Sequence, residues 1–230
     1  MSNGMGHAPT IHIVDDEPEV RAAMERMLLA DGLAYRTYGS AEELLAVVDE
    51  IDGCVVADVH LPDMDGIALV GTLEARRTDC PVLVITGRAD VDTAVQAMKT
   101  GAVDFLAKPF GRATFLDKIH ACLMVQRART ARRQRARHAE HVLASLSDRE
   151  RQVLRLVIEG KQNKVIAWEL DISIKTVEAH RAHIMEKTGA GSVIDLGRLW
   201  EAAGCENDAE PNAAASPAMT GSARVAARIN

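Results

Sequence analysis

The residues best suited to chemistry in this sequence are acidic, and they follow stretches of hydrophobic residues. Asp58 comes directly after the apolar run 53–57, and Asp15 and Asp16 come after the β-type segment 11–14. Short apolar runs bounded by Gly, Pro or Asp are typical of the buried strands of a parallel sheet. Because functional side chains gather at the carboxyl ends of such strands, we predict that three carboxylates meet at one edge of a sheet.

A hydroxyl and an ammonium group are expected at the same edge, since Thr86 ends a fourth strand and Lys108 follows a fifth. Three close carboxylates repel one another unless a cation joins them, and oxygen ligands favour a hard ion such as Mg²⁺. A carboxylate in such a site is able to act as a nucleophile toward a phosphoryl group. The Mg²⁺ ion, Lys108 and Thr86 would then stabilise charge on the phosphoryl oxygens, so the pattern indicates a phosphoryl-transfer site.

These strand ends belong to a segment, residues 10–125, in which strand and helix patterns alternate five times. The predicted strands are 11–14, 34–38, 53–57, 82–85 and 103–106. The predicted helices are 17–30, 40–49, 66–77, 89–99 and 112–125. Ser40 and Glu43 have the spacing of a capping box at the start of the second helix. Five β-α units are typical of an α/β fold with helices on both faces of a parallel sheet, and we predict the flavodoxin-like strand order 2-1-3-4-5.

Charge is distributed unevenly along the chain. Residues 1–125 carry 10 basic and 20 acidic side chains, whereas residues 126–200 carry 15 basic and 9 acidic ones, within a net charge of −6. An acidic unit followed by a basic unit predicts a cation site in the first and an anionic partner for the second. The 4 cysteines lack the spacing of a zinc site, and neither a secretory signal nor a membrane span is expected. We therefore expect a cytoplasmic protein.

The basic part begins with a predicted helical linker, residues 126–145, and continues as a small all-α domain, residues 146–204. Six arginines between positions 127 and 137 alternate mostly with alanine, and neither Gly nor Pro interrupts them. This composition favours a solvated charged helix, and the alternative is an arm that binds the phosphates of DNA. Residues 205–230 are rich in Ala, Asn, Ser and Pro, which predicts a disordered tail.

The small domain carries the pattern of a helix-turn-helix. Ser147 and Glu150 predict a capping box for its first helix, and Val165 is expected to face inward from the second. The second helix, 163–170, and the third, 174–188, are joined by a three-residue turn, which in a basic unit predicts DNA binding. The predicted DNA-binding residues are Lys161, Lys164, Lys175, Thr176, Glu178, Ala179, Arg181 and Ala182.

In order and spacing, the strand-end residues of the first unit resemble those of the receiver domain of two-component response regulators. The resemblance covers residues 10–125 and rests on Asp15-Asp16, on Asp58 with Leu-Pro-Asp-Met-Asp-Gly at 61–66, on Thr86-Gly87 and on Lys108-Pro109-Phe110. It implies that Asp58 accepts a phosphoryl group from a histidine kinase. It also implies a cis peptide bond before Pro109.

The resemblance assigns further roles to this set of residues. The implied magnesium ligands are Asp15, Asp16, Asp58 and the backbone carbonyl of His60. The implied phosphoryl-contacting and switch residues are Thr86, Lys108 and Phe105, although core packing alone would also explain Phe105. A receiver of this kind catalyses only its own magnesium-dependent phosphorylation and dephosphorylation, so no other enzyme activity is expected.

Residues 144–200 resemble the LuxR-type output domain of the NarL/FixJ family, and the sequence Thr-Val-Glu-Ala-His-Arg at 176–181 is closest to the FixJ-like branch. Gln162 departs from the family, which commonly has Ser or Thr there as a helix cap. The resemblance implies binding to double-stranded DNA as a homodimer formed on phosphorylation. It implies a dimer face at Val193, Leu196 and Leu199 of the fourth helix, and the alternative is that these residues only pack the domain.

Two other functions remain open at the level of sequence. A phosphatase of the haloacid-dehalogenase type also uses a strand-end aspartate with Mg²⁺, but it needs a second aspartate two residues later, where this chain has His60. A constitutive DNA-binding regulator would use the first unit only as a dimerisation module. The intact acidic cluster favours a phosphorylation-controlled transcription factor over both.

Overall fold

The computed structural model describes residues 8–76, 79–87 and 91–205. The chain divides between Arg135 and Ala136 into two compact units. Within the described residues, no helix combines the length and the apolar character needed to cross a membrane. The predicted tail at 206–230 lies outside the described residues.

The first unit is built on a five-stranded parallel sheet with the order β2-β1-β3-β4-β5, as predicted. Its strands are β1 (Thr10–Val14), β2 (Ala34–Tyr38), β3 (Cys54–Asp58), β4 (Val82–Thr86) and β5 (Asp104–Ala107). All residues of β3 and β4 are buried, which explains why these strands are continuously apolar rather than alternating. Separate clusters of buried side chains cover the two faces of the sheet, so helices pack on both sides.

The helices of the first unit connect these strands. They are α1 (Pro18–Leu29), α2 (Ala41–Leu45), α3 (Gly66–Ala75), α4 (Val91–Thr100) and α5 (Arg112–Ala144). Helix α2 is shorter than predicted, because a separate 3-10 turn, Val48–Glu50, replaces its second half. Its capping box is also incomplete: the Ser40 hydroxyl accepts from the Glu43 N–H, but the Glu43 carboxylate accepts from Gly39 instead of Ser40.

Helix α5 is 33 residues long and passes through the arginine-rich segment without a break. This segment contains no Gly or Pro, and long unbranched side chains such as Arg have good helix propensity. The helix therefore begins in the first unit and ends in the second.

The second unit contains α6 (Asp148–Ile158), α7 (Asn163–Glu169), α8 (Ile174–Thr188) and α9 (Val193–Ala202) around a small core. The capping box at Ser147 and Glu150 is present, and Ser173 and Ser192 cap α8 and α9. Gln162 makes no side-chain cap for α7. The prediction for Val165 is wrong: its neighbours Ile166 and Ala167 are buried, and Val165 is 41% exposed on the outer side of α7.

Candidate functional site

The sheet brings four of the predicted residues to one edge. Strands β1 and β3 are hydrogen-bonded neighbours, with Val14 in register with Ala57, so Asp15 and Asp58 follow side by side. Thr86 ends β4 and pairs in register with Ala107 at the end of β5. Right-handed crossovers around this strand order explain why side chains 93 residues apart in sequence are in contact here.

Lys108 lies between the two buried carboxylates. Its Nζ is 2.8 Å from Asp15 Oδ2 and 2.8 Å from Asp58 Oδ1. The Asp15 side chain is fully buried and that of Asp58 is 6% exposed, so the ammonium neutralises charge that water does not reach well. A third carboxylate, Glu17, is 3.3 Å from the same Nζ at the exposed side of the cluster.

The electrostatics of the three groups follow from this contact. Burial raises the pKa of Asp15, and the hydrogen bond from Lys108 only partly offsets that rise. Burial alone would lower the pKa of Lys108, but its bonds to Asp15 and Asp58 outweigh burial and hold this pKa above its ordinary value. Lys108 is therefore protonated at neutral pH. Its positive charge lies beside Asp58, where it would stabilise negative charge on a phosphoryl group bound there.

The predicted convergence of three carboxylates is only partly realised. Asp15 and Asp58 meet through Lys108, whereas Asp16 is exposed at the cleft. Both residues lie in the loop after β1, where Asp15 is buried against Lys108 and Asp16 is exposed to solvent. The open cleft is lined by Asp16, Glu17, Asp58, His60, Gly87 and Lys108.

Asp58 is held by the loop that follows it. Its Oδ2 accepts a hydrogen bond of 2.6 Å from the backbone N–H of His60. The loop closes when the Gly66 N–H donates to the carbonyl of Val59 at 2.8 Å. A Cβ atom at Gly66 would stand 2.0 Å from the Asp58 carbonyl oxygen, so only glycine allows this close approach.

The same loop contains two aspartates that position helices. Asp63 accepts from the N–H groups of Ala41 at 3.1 Å and Glu42 at 2.7 Å, at the start of α2. Asp65 caps α3 by accepting from Ile67 at 2.7 Å. Neither role was predicted. Asp63 adds to the Ser40 cap of α2 from 22 positions later in the chain, a contact that only the fold creates.

The side chains that line the cleft are of the types that bind a divalent cation. The carboxylates of Asp16 and Asp58 line the cleft together with His60, Asp15 is buried behind them, and carboxylate oxygens are ligands that a hard cation prefers. Within the described ranges, no three His, Cys, Asp or Glu side chains are grouped closely enough to hold a metal. The set fits Mg²⁺, which keeps several waters and needs few protein ligands.

Two predicted switch residues lie on β4 and β5. Thr86 is fully buried, and its carbonyl accepts from the Lys108 N–H at 2.7 Å. Phe105 is partly buried and packs against the core cluster that also contains Val84 and Ala97. The Lys108–Pro109 peptide bond is cis, as the resemblance implied.

The second unit presents the predicted helix-turn-helix. Helices α7 and α8 are joined by a turn in which Asp171 has a positive φ of 51°. Val177 and Ile184 anchor α8 in the core, and its opposite side is open to solvent. The exposed residues of the predicted set are Lys164, Lys175, Glu178, Ala179 and Ala182. The alanines leave room for the close approach of a groove edge.

Three predictions for the second unit change with the structure. Lys161 forms ion pairs with Glu159 at 3.1 Å and with Glu169 at 2.8 Å. These two carboxylates would compete with DNA phosphates for the ammonium group of Lys161. Arg181 and Thr176 are only partly exposed; Arg181 donates to Asn163 at 3.3 Å, and the hydroxyl of Thr176 bonds that of Ser173 at 2.8 Å.

The predicted dimer face on α9 is wrong in its central residue. Leu196 is 3% exposed and belongs to the core of the unit, and Leu199 packs against the same core. Val193 is 39% exposed, and Ile194, which the sequence analysis left out, is 69% exposed. Burial therefore favours the alternative interpretation, packing of the domain, for Leu196, and the dimer face stays a prediction for Val193 and Leu199.

Comparisons with known proteins agree with the division into two different domains. Residues 11–120 match the response regulator receiver domain, and residues 144–199 match the bacterial regulatory proteins of the luxR family. The transcriptional regulatory protein FixJ of Rhizobium meliloti is 43% identical over 85% of this chain and 96% of its own length. The response regulator protein TodT of Pseudomonas putida is 37% identical over 84% of this chain and 86% of its own.

Solved structures show the same two-part architecture. The response regulator StyR superposes with a TM-score of 0.73 at 38% identity, covering 85% of this chain and 99% of the other. Full-length FixJ from B. japonicum gives a TM-score of 0.53 at 38% identity, covering 86% and 98%. Receiver and luxR-type domains thus occur here in the order found in complete response regulators. The chain belongs to the NarL/FixJ family of two-component response regulators, and it is a FixJ-like DNA-binding transcriptional regulator switched by phosphorylation.

Proposed function

We propose that Asp58 is the phosphoryl acceptor of this regulator and that a histidine kinase is the donor. A carboxylate oxygen of Asp58 forms the new O–P bond as the N–P bond to the kinase histidine breaks, and the leaving imidazole keeps the electron pair and takes up a proton. The observation that carries this proposal is the position of Asp58: it ends a fully buried strand, faces the open cleft, and has Lys108 Nζ 2.8 Å from one of its oxygens.

The residues around Asp58 divide the work of the transfer. Lys108 places a fixed positive charge beside the site where negative charge develops on the phosphoryl oxygens. The His60 N–H donates to Oδ2 of Asp58 and Lys108 contacts Oδ1, so both oxygens of the carboxylate are held in place beside the cleft. Asp15, Asp16, Asp58 and the His60 carbonyl would hold Mg²⁺, which when bound neutralises the equatorial oxygens of the phosphoryl group. No chemistry beyond the chain's own phosphorylation and dephosphorylation is proposed.

Phosphorylation is then transmitted through Thr86 and Phe105. We propose that the Thr86 hydroxyl turns toward the phosphoryl group and that Phe105 moves into the space it leaves. Phe105 packs against a cluster that includes Ala97 of α4, so its movement would alter the surface of α4 and β5. Helix α4 exposes Val91, Val95 and Met98, which recur at the spacing of one helical face. This apolar stripe supports a homodimer that forms through α4, β5 and α5.

The output unit is proposed to bind duplex DNA with α8 in the major groove. Lys175 stands in the first turn of α8, where backbone N–H groups and the helix dipole favour phosphate. Glu178, Ala179 and Ala182 follow on the exposed side and are the proposed contacts to base edges. A homodimer would place two such helices on half-sites about 34 Å apart.

The assignment of Asp58 is tested by treating the full chain with acetyl phosphate and Mg²⁺ and separating the products on a phosphate-affinity gel. Wild type is expected to give a shifted band, and Asp58→Asn is expected to give none. Asp63→Asn is the matched control, because this aspartate lies in the same loop but bonds the start of α2, and it should still shift. A shift that persists in Asp58→Asn would refute the assignment.

A further inference from the structure

The arginine-rich part of α5 has two chemically different sides. On one side, Arg129 pairs with Glu74 at 3.0 Å and Arg133 pairs with Asp79 at 3.5 Å. Both partners belong to the first unit, so these arginines fasten the helix to the unit from which it emerges. Their charges are neutralised locally.

The other side of the helix carries arginines with no such partners. Arg127, Arg132 and Arg135 are exposed, and within the described part of the chain no carboxylate pairs with any of them. Arg135 Nε donates to the carbonyl of Ala131, a bond that stays within the helix. Ala128 and Ala131 lie between the arginines and are also exposed.

These five residues form one continuous face. At 3.6 residues per turn they fall within about 140° of the helix circumference, and the ion-paired arginines fall on the opposite side. The face from Arg127 to Arg135 is about 12 Å long, at about 1.5 Å per residue. We define it as the basic face of α5.

The composition of the basic face suits the backbone of duplex DNA. Arginine is the side chain best suited to phosphate oxygens, and small residues between the arginines let the helix approach a strand. Duplex DNA presents one negative charge per about 1.7 Å, so a face of about 12 Å meets more phosphates than it has arginines. Arg135 is 12 residues from Ser147, where the first helix of the DNA-binding unit is capped, so the two are tethered at high local concentration.

We propose that the basic face of α5, formed by Arg127, Arg132 and Arg135, is a second DNA-binding surface that contacts phosphates of the duplex bound by α8. It contributes affinity and salt dependence without sequence preference, because phosphates are the same in every sequence. The paired arginines take no part. The proposal rests on DNA binding by the output unit and adds a contact to it.

The test compares two double variants that remove the same charge from opposite sides of one helix. Arg127→Gln/Arg132→Gln removes two arginines of the basic face, and Arg129→Gln/Arg133→Gln removes the two paired ones. Binding of each full chain to a random-sequence DNA duplex is measured by fluorescence anisotropy over a series of KCl concentrations. The first variant is expected to lower the slope of log K against log salt by about two, since each lost phosphate contact removes about 0.9. The second is expected to keep the wild-type slope.

Conversion to lysine separates charge from folding. Arg127→Lys/Arg132→Lys keeps both charges and should restore at least most of the slope, while circular dichroism at the helical minimum verifies that all variants retain α5. Equal losses in the two glutamine variants would show a general charge effect and overturn the proposal, as would no loss in either. If wild type itself shows a slope near zero, the output unit does not bind DNA electrostatically, and the proposed function fails with it.

Discussion

Replacing Lys108 with methionine removes the cation that joins two buried carboxylates and keeps most of the side-chain volume. Lys108 Nζ is 2.8 Å from an oxygen of each carboxylate, so these two oxygens are no more than twice 2.8 Å apart. Each contact is worth about 6 kcal/mol of Coulomb attraction at an effective dielectric constant of about 20, most of which is offset by desolvation. Breaking a buried pair on one side typically costs about 3–5 kcal/mol. Because Lys108 is 16% exposed, we expect the lower end, about 3 kcal/mol.

The assay is hydrogen exchange of the β3 amides followed by mass spectrometry, since both tryptophans lie in the second unit and fluorescence would not report on the first. A loss of about 3 kcal/mol corresponds to a roughly 150-fold faster exchange. Lys118→Met is the matched control: its bond to Asp104 is 2.6 Å long, but the two side chains are 27% and 38% exposed. A pair so exposed contributes about 0–1 kcal/mol.

Mg²⁺ provides the second half of this test. Without the ammonium, Asp15 and Asp58 should bind a divalent cation at least tenfold more tightly, so saturating Mg²⁺ should restore about 1.4 kcal/mol more in Lys108→Met than in wild type. Lys118→Met should respond as wild type does. Wild-type protection in Lys108→Met, or the same gain from Mg²⁺ in all three proteins, would refute the electrostatic account of the cleft.

Three further perturbations test other parts of the structure. Burial lowers the pKa of His12, so below about pH 6.5 the unfolded chain binds a proton that the folded chain does not. The free energy of unfolding of the first unit should therefore decrease as the pH falls. In urea titrations, His12→Phe should flatten this pH dependence. Gly66→Ala should destabilise the first unit by about 1–3 kcal/mol and slow the phosphorylation of Asp58. Gly71→Ala, whose new Cβ would be 3.4 Å from its nearest neighbour, should do neither. Equal effects of the two variants would contradict the loop geometry. Hydrogen bonds from Lys187 and from the backbone of Ser147 lower the pKa of Glu150 to about 2, so its contribution to the stability of the second unit is present above about pH 4.5 and is lost as the pH falls toward 2. Glu150→Gln should remove this acid dependence when unfolding is followed by tryptophan fluorescence. An unchanged pH profile would contradict the role of Glu150.

Strand order and strand ends were predictable because they depend on patterns that the chain repeats five times. A buried parallel strand must be apolar throughout, and the residue after it must stand at the functional edge, which located Asp58 and Lys108 without knowledge of any contact. This pattern does not predict which way a side chain points once the strand has ended. It therefore predicted Asp15 and Asp16 together at this edge, without distinguishing Asp15, which is buried against Lys108, from Asp16, which is exposed and lines the cleft.

The remaining differences between prediction and structure involve contacts between distant residues. DNA binding by Lys161 stays a prediction, but its charge alone did not reveal that the fold brings Glu169 within 2.8 Å of it. Leu196 was assigned to a surface, but it is 3% exposed in the core of the second unit, whereas Val193 and Ile194 of the same helix are exposed. The six arginines could be placed on a helix from composition, yet only the positions of Glu74 and Asp79 divide them into paired and exposed sides.

Phosphorylation is expected to convert one carboxylate at this edge of the sheet, and no other, to an acyl phosphate with the help of a divalent cation. Borohydride reduction of the acetyl phosphate-treated full chain converts an acyl phosphate to an alcohol, and peptide mass spectrometry then locates it. The account predicts reduction at Asp58 alone, present with Mg²⁺ and abolished by EDTA. Reduction at Asp15, Asp16 or Asp63, or labelling of Asp58 that is indifferent to EDTA, would contradict it.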